Sequence, residues 1–293
     1  MTTLAEYVVP ARKSPDDLEE PPSETRFHRR LSLADAAREL WGARALVRSL
    51  AERELRSRYK QAFLGFSWAI LTPFALMVVF TVFFNRIAKV NTGGSPYPVF
   101  AYLGLIPWTF FSASVAQGGI SLLTNRSLLN KIYCPREVFP TASVVVAAID
   151  SCVAVVGLVV LMAVFRVAPS PTVIWVPVLL SVQVAFSLGV ACLLSAVILY
   201  FRDLKHVLPL ILQLGLFASP VAYGMDVVPH SLRIVYAAIN PLAPVIDGYR
   251  KTVLLNQAPD LGLLVAGTVT SVVALFGGYV VFKKLEPGFA DIA

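Results

Sequence analysis

Side chains that could perform chemistry are few in this sequence, and they lie far apart. The three histidines are widely separated, and none stands in an HExxH motif. The three cysteines form no CxxC pair, so neither a zinc site nor a disulfide framework is indicated. No GxxxxGK(S/T) motif occurs, and no glycine directly precedes a lysine, so the chain has no phosphate-binding loop. We therefore predict no catalytic residue, no metal and no cofactor in this chain.

Asp150 is the one charged residue inside a long apolar stretch. A carboxylate in that setting is costly, so it must face protein or water, and it is a functional candidate by default. The alternative is a hydrogen-bonded residue that packs one helix on another, beside Ser151. The sequence indicates no cation at the same depth. A transporter driven by protons or sodium normally carries several such groups. If this protein moves a substrate uphill, we therefore expect the energy to come from another subunit.

The elements that position these side chains follow from the composition. Hydrophobic residues make up 57% of the 293 residues and charged residues only 15%, whereas a soluble domain is about 25% charged. A membrane helix needs about 20 apolar residues. Six apolar runs are long enough, at 62–84, 97–124, 138–165, 167–201, 207–225 and 261–282. We predict an all-α integral membrane protein with six transmembrane helices, with prolines holding the start of the fourth run outside its helix.

The net charge of +7 is interpreted as a topology signal and not as a nucleic-acid interface, because the basic residues concentrate in the N-terminal segment and in short loops. With the N-terminus inside, cytoplasmic segments hold about three times as many lysines and arginines as outer segments. This asymmetry predicts a multi-pass protein of the plasma membrane with both termini in the cytoplasm.

The N-terminal region divides in two before the membrane domain of 61–293. Residues 1–30 are rich in proline and acidic residues and are predicted to form a disordered cytoplasmic tail. Residues 31–60 carry apolar side chains at helical spacing among arginines, which predicts an amphipathic helix at the membrane interface with Trp41 at headgroup depth. A helix that packs on a soluble partner is the alternative.

Residues 234–246 form a shorter apolar run, which would reach only about 20 Å as a helix. Asn240 and Pro241 interrupt it, and Pro244 follows. These features predict a re-entrant pair of short helices before the last span, near the outer end of a pore. An external loop on the membrane surface is the alternative.

Several short motifs at the borders of these runs occur in a specific order. They are Arg58-Tyr59-Lys60-Gln61 with Leu64-Gly65, Trp68 and Pro73; Asn125 through Lys131 followed by Pro135-Arg136-Glu137 and Pro140; Arg202-Asp203-Leu204; Ser219-Pro220 with Tyr223; Asn240-Pro241 with Tyr249-Arg250; and Glu286-Pro287 with Phe289-Ala290-Asp291. Together they resemble the permease subunit of ABC-2-type exporters, in the branch that exports lipid-linked polysaccharides such as O-antigens, capsules, teichoic acids and galactans. The resemblance covers roughly residues 32–291.

The resemblance implies a homodimer of permeases in contact with membrane lipid, with two copies of a separate soluble ATPase subunit. ATP and Mg²⁺ would bind to that ATPase subunit, and the substrate would be a lipid-linked polysaccharide. This division agrees with the missing phosphate-binding loop, because the chain offers a route across the bilayer and no means of hydrolysing ATP.

The loop after the second run interleaves leucines with polar residues, so a short helix there could press an apolar ridge into a cleft of the ATPase. The alternative is the end of a long second helix with contacts inside this chain only. The residues assigned to ATPase coupling are Asn125, Arg126, Leu128, Leu129, Asn130, Lys131 and Glu137. The resemblance implies a place at the cytoplasmic entrance for Arg202 and Asp203, and Arg58 and Tyr59 are assigned to the same entrance. As the alternative, Arg202 and Asp203 could pair with each other, or Arg202 could contact lipid phosphate.

Aromatic residues crowd the first two runs, and aromatic faces suit the C–H faces of sugar rings. Lipid-facing and interfacial positions are the alternative for each ring. The residues assigned to a channel wall are Phe66, Trp68, Tyr102, Trp108, Phe217 and Tyr223. Asn240, Pro241 and Arg250 are assigned to the re-entrant cap.

Two other functions remain open from the sequence. An ABC-2-type exporter of a drug or small lipid would need a compact apolar cavity in place of an aromatic channel. An integral-membrane transferase would need paired carboxylates or a His/Asp group at the membrane face, and the sequence indicates neither.

Overall fold

The computed structural model of the protein describes residues 33–60, 65–87, 92–129 and 134–289. The predicted tail at 1–30 and the coupling residues Asn130 and Lys131 lie outside these ranges. Within them the chain is helical with connecting loops and contains no β-strand, which confirms the predicted all-α class for this part of the chain.

The α-helices are named here in chain order. They are α1 (Leu33–Gly42), α2 (Arg44–Tyr59), α3 (Trp68–Phe80), α4 (Tyr97–Thr124), α5 (Arg126–Leu129), α6 (Val138–Val164), α7 (Val176–Tyr200), α8 (Leu204–Ala218), α9 (Arg233–Ile239), α10 (Leu242–Leu254) and α11 (Leu261–Leu285). A 3-10 turn precedes α3 at Gly65–Ser67, and the helix continues past α3 as a π-helix at Thr81–Ile87.

Five helical stretches among the described residues are long and apolar enough to cross a membrane. They are Gly65–Phe84, Tyr97–Thr124, Val138–Val164, Pro171–Tyr200 and Leu261–Gly288. These stretches fall on five of the six predicted runs. In the fourth run a 3-10 helix at Pro171–Trp175 precedes α7, as expected for the earlier prolines, whereas Pro177 lies in the first turn of α7.

The remaining predicted run, 207–225, is helical only in its first part. Helix α8 has 15 residues, so it is about 22 Å long, whereas the hydrocarbon core is about 30 Å thick. The chain then leaves the helix at Ser219-Pro220 and follows an irregular path to Gly224.

Helix α4 forms the centre of the bundle, with α6 and α7 packed along it and α11 packed against α7. Its first half is buried almost residue by residue, including Tyr97, Phe100 and Tyr102. By contrast, α3 and α8 lie at the outside of this chain and keep many large apolar side chains uncovered. The core is therefore built on α4, and the uncovered faces belong to α3 and α8.

The segment predicted as one amphipathic helix consists of two helices, which meet at Gly42 and Ala43. Trp41 is 72% exposed, whereas Val47, Leu50 and Ala51 of α2 are buried in a cluster with residues of α4 and α6. Helix α2 therefore uses its apolar side to dock on the helix bundle of its own chain.

The run predicted to be broken at Asn240 and Pro241 forms two short helices. Helix α9 ends at Ile239 and α10 begins at Leu242. The Asn240 Oδ1 accepts a hydrogen bond from the Leu242 N–H at 3.2 Å, and the Asn240 Nδ2 donates to the Ser219 Oγ at 2.9 Å. The asparagine thus satisfies the backbone at the break and ties it to the irregular segment after α8.

Candidate functional site

Asp150 lies about halfway along α6, where two residues from the end of α2 reach it. The Tyr59 hydroxyl donates to the Asp150 Oδ1 at 2.8 Å, and the Arg58 guanidinium lies 3.3 Å from the Asp150 Oδ2. Arg58 also pairs with Glu54 at 2.5 Å. The expectation that Asp150 lacks a cation partner is therefore wrong. Sequence separation concealed this partner, because α2 folds back on α6 from more than ninety residues away.

Tyr59 remains a hydrogen-bond donor at ordinary pH. Burial, together with the hydrogen bond to Asp150, raises the pKa of its phenol to about 12. Its ring stacks on the Phe66 ring with 4.3 Å between the centroids. Tyr59 therefore joins the start of the first membrane stretch to the carboxylate of α6.

A cleft opens beside this group, where α3, α4 and α6 converge on the end of α2. Small residues and aromatic rings line most of it, with Asp150 and several hydroxyl groups between them. The lining residues are Tyr59, Trp68, Ala69, Thr72, Pro73, Thr109, Ala113, Ala147, Asp150, Ser151 and Ala154. Two residues assigned to different roles from the sequence, Tyr59 at the entrance and Trp68 on the channel wall, meet here.

The coupling segment is a turn at Asn125 followed by the single helical turn α5. Its leucines face this chain, since Leu129 is buried and Leu128 packs against the same cluster. Arg53 of α2 donates a hydrogen bond to the Asn125 side chain. The apolar residues of the described part of the segment thus contribute to the packing of α2 and α6, and Ser127 is exposed.

Glu137, the last assigned coupling residue, is buried inside the chain. Its Oε1 lies 2.5 Å from the Lys283 Nζ and accepts a hydrogen bond from the Tyr279 hydroxyl at 3.2 Å. Lys283 also pairs with Glu286 at 2.8 Å. Glu137 therefore connects the start of α6 to the end of α11 and does not reach a surface where another subunit could contact it.

Arg202 and Asp203 lie in the exposed turn between α7 and α8. No ion pair joins them in this described turn, so the possibility that they pair with each other is not realised. The Asp203 carbonyl accepts a hydrogen bond from the His206 N–H at 3.0 Å, in the first turn of α8.

The six rings assigned to a channel wall divide into two groups. Phe66, Trp68 and Phe217 are exposed on α8 and the first membrane stretch, whereas Tyr102 and Trp108 are buried in the core of this chain. Tyr223 lies outside these helices, in the irregular segment after α8, and is partly covered. The two buried rings do not offer a face to a passing molecule, because neighbouring helices cover them. The Tyr102 hydroxyl donates to the Ala154 carbonyl at 3.2 Å.

Arg250 of the assigned cap is buried. Its guanidinium donates to the carbonyls of Phe100, Pro220, Val221 and Tyr223 at 2.5–3.2 Å and lies 3.6 Å from the centre of the Phe100 ring. Asn240 and Pro241 lie at the neighbouring helix break. The three assigned residues therefore border the same irregular segment after α8.

Glu54 and Lys283 belong to these polar groups but were missed by the sequence reasoning. The spacing of Glu54 and Arg58 is i, i+4 on a helix, which is a signal that could have identified the first pair. Nothing in the sequence links Lys283 to Glu137. Among the described residues, no group of three or more His, Cys, Asp or Glu side chains could hold a metal ion.

Comparison with known proteins relates most of this chain to membrane transporters. Residues 45–254 match the ABC-2 type transporter family. An O-antigen export system permease protein of Myxococcus xanthus is 33% identical over 255 residues, which is 87% of this chain and 97% of the relative. One of the same name from Klebsiella pneumoniae is 27% identical, covering 83% of this chain and 93% of the relative.

A more distant relative has a different cargo in its name. A polysialic acid transport protein of Escherichia coli is 25% identical over 248 residues, which is 82% of this chain and 93% of the relative. All three alignments extend over nearly the full length of the relative.

Proposed function

Because this chain belongs to the ABC-2 type transporter family, we propose that it is the permease subunit of an ATP-driven exporter of a lipid-linked polysaccharide. The glycan would move from the cytoplasmic to the outer side of the plasma membrane. The observation that carries this proposal is the 33% identity with an O-antigen export permease along 97% of that protein. The named cargo of all three relatives is a polysaccharide, which favours this function over export of a drug or small lipid.

The proposed topology has six spans, with both termini in the cytoplasm. Five stretches have the length and apolar character of spans, and α8 with the irregular segment after it would form the sixth. Helices α9 and α10 would dip into the membrane from the outer side as a re-entrant pair. The distribution of lysines and arginines supports this orientation.

The proposed assembly contains two copies of this chain and two ATPase subunits that bind ATP and Mg²⁺. Asn125 and Arg126, with Asn130 and Lys131, would contact the ATPase, whereas Leu128 packs inside this chain. The Arg53–Asn125 hydrogen bond supports this role, because it joins the coupling segment to α2 and thereby to the Asp150 group. Closure of the ATPase dimer would then move α2 together with the spans as rigid bodies.

The proposed route begins at Arg58, Tyr59, Arg202 and Asp203 and passes between two copies of the chain. The exposed faces of α3 and α8 would line it, with Phe66, Trp68 and Phe217 among the rings along the wall. The Phe80 and Phe217 rings lie 6.4 Å apart, so these two helices adjoin. Their large uncovered apolar area supports this placement.

Deletion of the gene tests the proposal. We expect the deletion strain to lose its surface polysaccharide and to accumulate the lipid-linked glycan inside, and a plasmid copy of the gene should restore export. The measurement is immunolabelling of surface glycan together with extraction of the intracellular carrier-linked glycan. Normal surface glycan in the deletion strain would refute the proposal.

A further inference from the structure

The cleft beside Asp150 combines an aromatic wall with hydrogen-bonding groups. Trp68 is 51% exposed and forms one side. Thr72 and Ser151 contribute hydroxyls, and Asp150 contributes a carboxylate that is partly accessible, with 19% of its side chain exposed. Aromatic faces together with carboxylates and hydroxyls match the two surfaces of a sugar ring, which has apolar C–H faces and a polar rim.

The charge of the cleft disfavours a phosphate. Two carboxylates, Glu54 and Asp150, surround a single guanidinium, Arg58, with contacts of 2.5 and 3.3 Å. In both contacts a carboxylate of this chain neutralises the charge of Arg58, so the net charge beside the cleft is not positive. Anionic ligands in proteins are held by free basic side chains or N–H groups. An uncharged ligand therefore fits the cleft better than a pyrophosphate or a phospholipid headgroup.

Asp150 retains capacity for further hydrogen bonds. Each carboxylate oxygen can accept two, and the structure gives each oxygen one donor from α2. A lipid chain in the cleft would remove water from this carboxylate without replacing the lost hydrogen bonds, which is costly. A ligand with hydroxyl groups would supply them.

We propose that this cleft binds an uncharged sugar residue of the transported glycan, with the ring against Trp68 and a hydroxyl donating to Asp150. The inference rests on the proposed function, and it assigns a sugar subsite to a single copy of the chain at the level where α2 ends and the first span begins. Arg58 and Tyr59 belong to α2 and position the Asp150 side chain by their hydrogen bonds. Helix α2 is therefore part of the subsite.

The test measures protection of a thiol placed inside the cleft. Ser151→Cys is introduced with Cys134→Ser and Cys152→Ser, and the full chain is assembled with its ATPase subunit in phosphatidylcholine nanodiscs. The rate of thiol modification by a small maleimide is measured without additive, with octanol, and with octyl glucoside or octyl phosphate below their micellar concentrations. We expect octyl glucoside to slow modification by about fivefold, which corresponds to four-fifths occupancy, and the other two to have no such effect.

Two variants and a control connect protection to the cleft. Trp68→Leu and Asp150→Ala, each in the Ser151→Cys background, should abolish most of the protection. Trp68 is half exposed, so its replacement leaves the core intact even if Asp150→Ala disturbs folding. Lys284→Cys lies at the exposed end of α11 outside the cleft, and its modification should not respond to octyl glucoside.

Four outcomes would overturn the inference. Protection by octanol equal to that by octyl glucoside would identify an apolar crevice, and stronger protection by octyl phosphate would identify an anion site. Absence of protection by octyl glucoside, or protection that survives in Trp68→Leu, would also refute it. Each can occur in a protein whose gene deletion abolishes surface glycan, so failure of this inference is distinguishable from failure of the proposed function.

Discussion

At the scale of single residues, Arg250 is a buried charge without a carboxylate at ion-pair distance in the described structure. Backbone carbonyls take the place of a counter-ion, and three of them lie after α8, where no helix continues to supply donors. Gly104 faces the guanidinium, and a Cβ at that position would overlap the Arg250 Nη2. The Arg250 guanidinium thus supplies hydrogen-bond donors to backbone carbonyls that would otherwise be unsatisfied in this segment.

Replacement of Arg250 by methionine is expected to lower the free energy of unfolding by about 2–4 kcal/mol. Each carbonyl left without a donor costs about 1–3 kcal/mol, and relief of the buried charge recovers part of this loss. The measurement is the thermal unfolding midpoint in detergent, with the exposed Arg202→Met as control. Equal midpoints for the two variants would contradict the role assigned to Arg250.

At the scale of elements, α7 and α11 approach each other closely enough for their backbones to touch. A Cβ on Gly278 would overlap the Gly189 carbonyl oxygen, and a Cβ on Gly189 would lie 2.5 Å from the Ala274 backbone. Small residues permit such close packing between membrane helices, because van der Waals contact is a main source of their association. The two glycines therefore set the distance between the fourth predicted span and the last.

Gly278→Ala is expected to destabilise the protein by about 1–3 kcal/mol, because a backbone contact cannot move aside as a flexible side chain can. Gly277→Ala is the matched control, since a Cβ there meets nothing within 4 Å. Alanine is about 1 kcal/mol better than glycine in a helix, so this variant should be neutral or slightly more stable. Thermal unfolding of both proteins checks the prediction, which fails if both variants change in the same direction.

At the scale of the whole molecule, the buried pair of Glu137 and Lys283 joins parts of the chain that are far apart in sequence. It fixes the start of α6, immediately after the coupling loop, to the end of α11. The adjoining Phe289 is fully buried against Phe282, and Arg136 lies 5.7 Å from the centre of the Phe289 ring. The start of α6 is therefore held to the end of α11 by both charged and aromatic contacts.

Lys283→Met is expected to leave Glu137 as an unpaired buried charge, which costs about 3–5 kcal/mol. Both the unfolding midpoint and the amount of surface glycan should fall. The neighbouring Lys284 is exposed, so Lys284→Met should match the wild type in both measurements.

The double variant Glu137→Gln with Lys283→Met tests the pairing itself. Removal of both charges should recover part of the stability, because an uncharged pair has no uncompensated carboxylate. A double variant no more stable than Lys283→Met alone would show that the buried carboxylate is not the cause.

Much of the fold could be predicted from the sequence because a bilayer imposes a simple rule on composition. Apolar runs of sufficient length must satisfy their own backbone as helices, and five of the six predicted runs are helical stretches long enough to span. The break at Asn240 and Pro241 was likewise predictable, since proline cannot continue a helix hydrogen-bond ladder. These features depend on residues close together in the chain.

Tertiary structure alone decided which polar side chains meet. Arg58 pairs with Asp150, and Glu137 with Lys283, across separations that no local pattern records. It also decided that Tyr102 and Trp108 are buried while Trp68 is exposed, because helices that are apolar on all sides give no periodic signal of which face packs inward. The sequence therefore determined the helices and the class of transporter, and packing between helices determined the cleft and its charges.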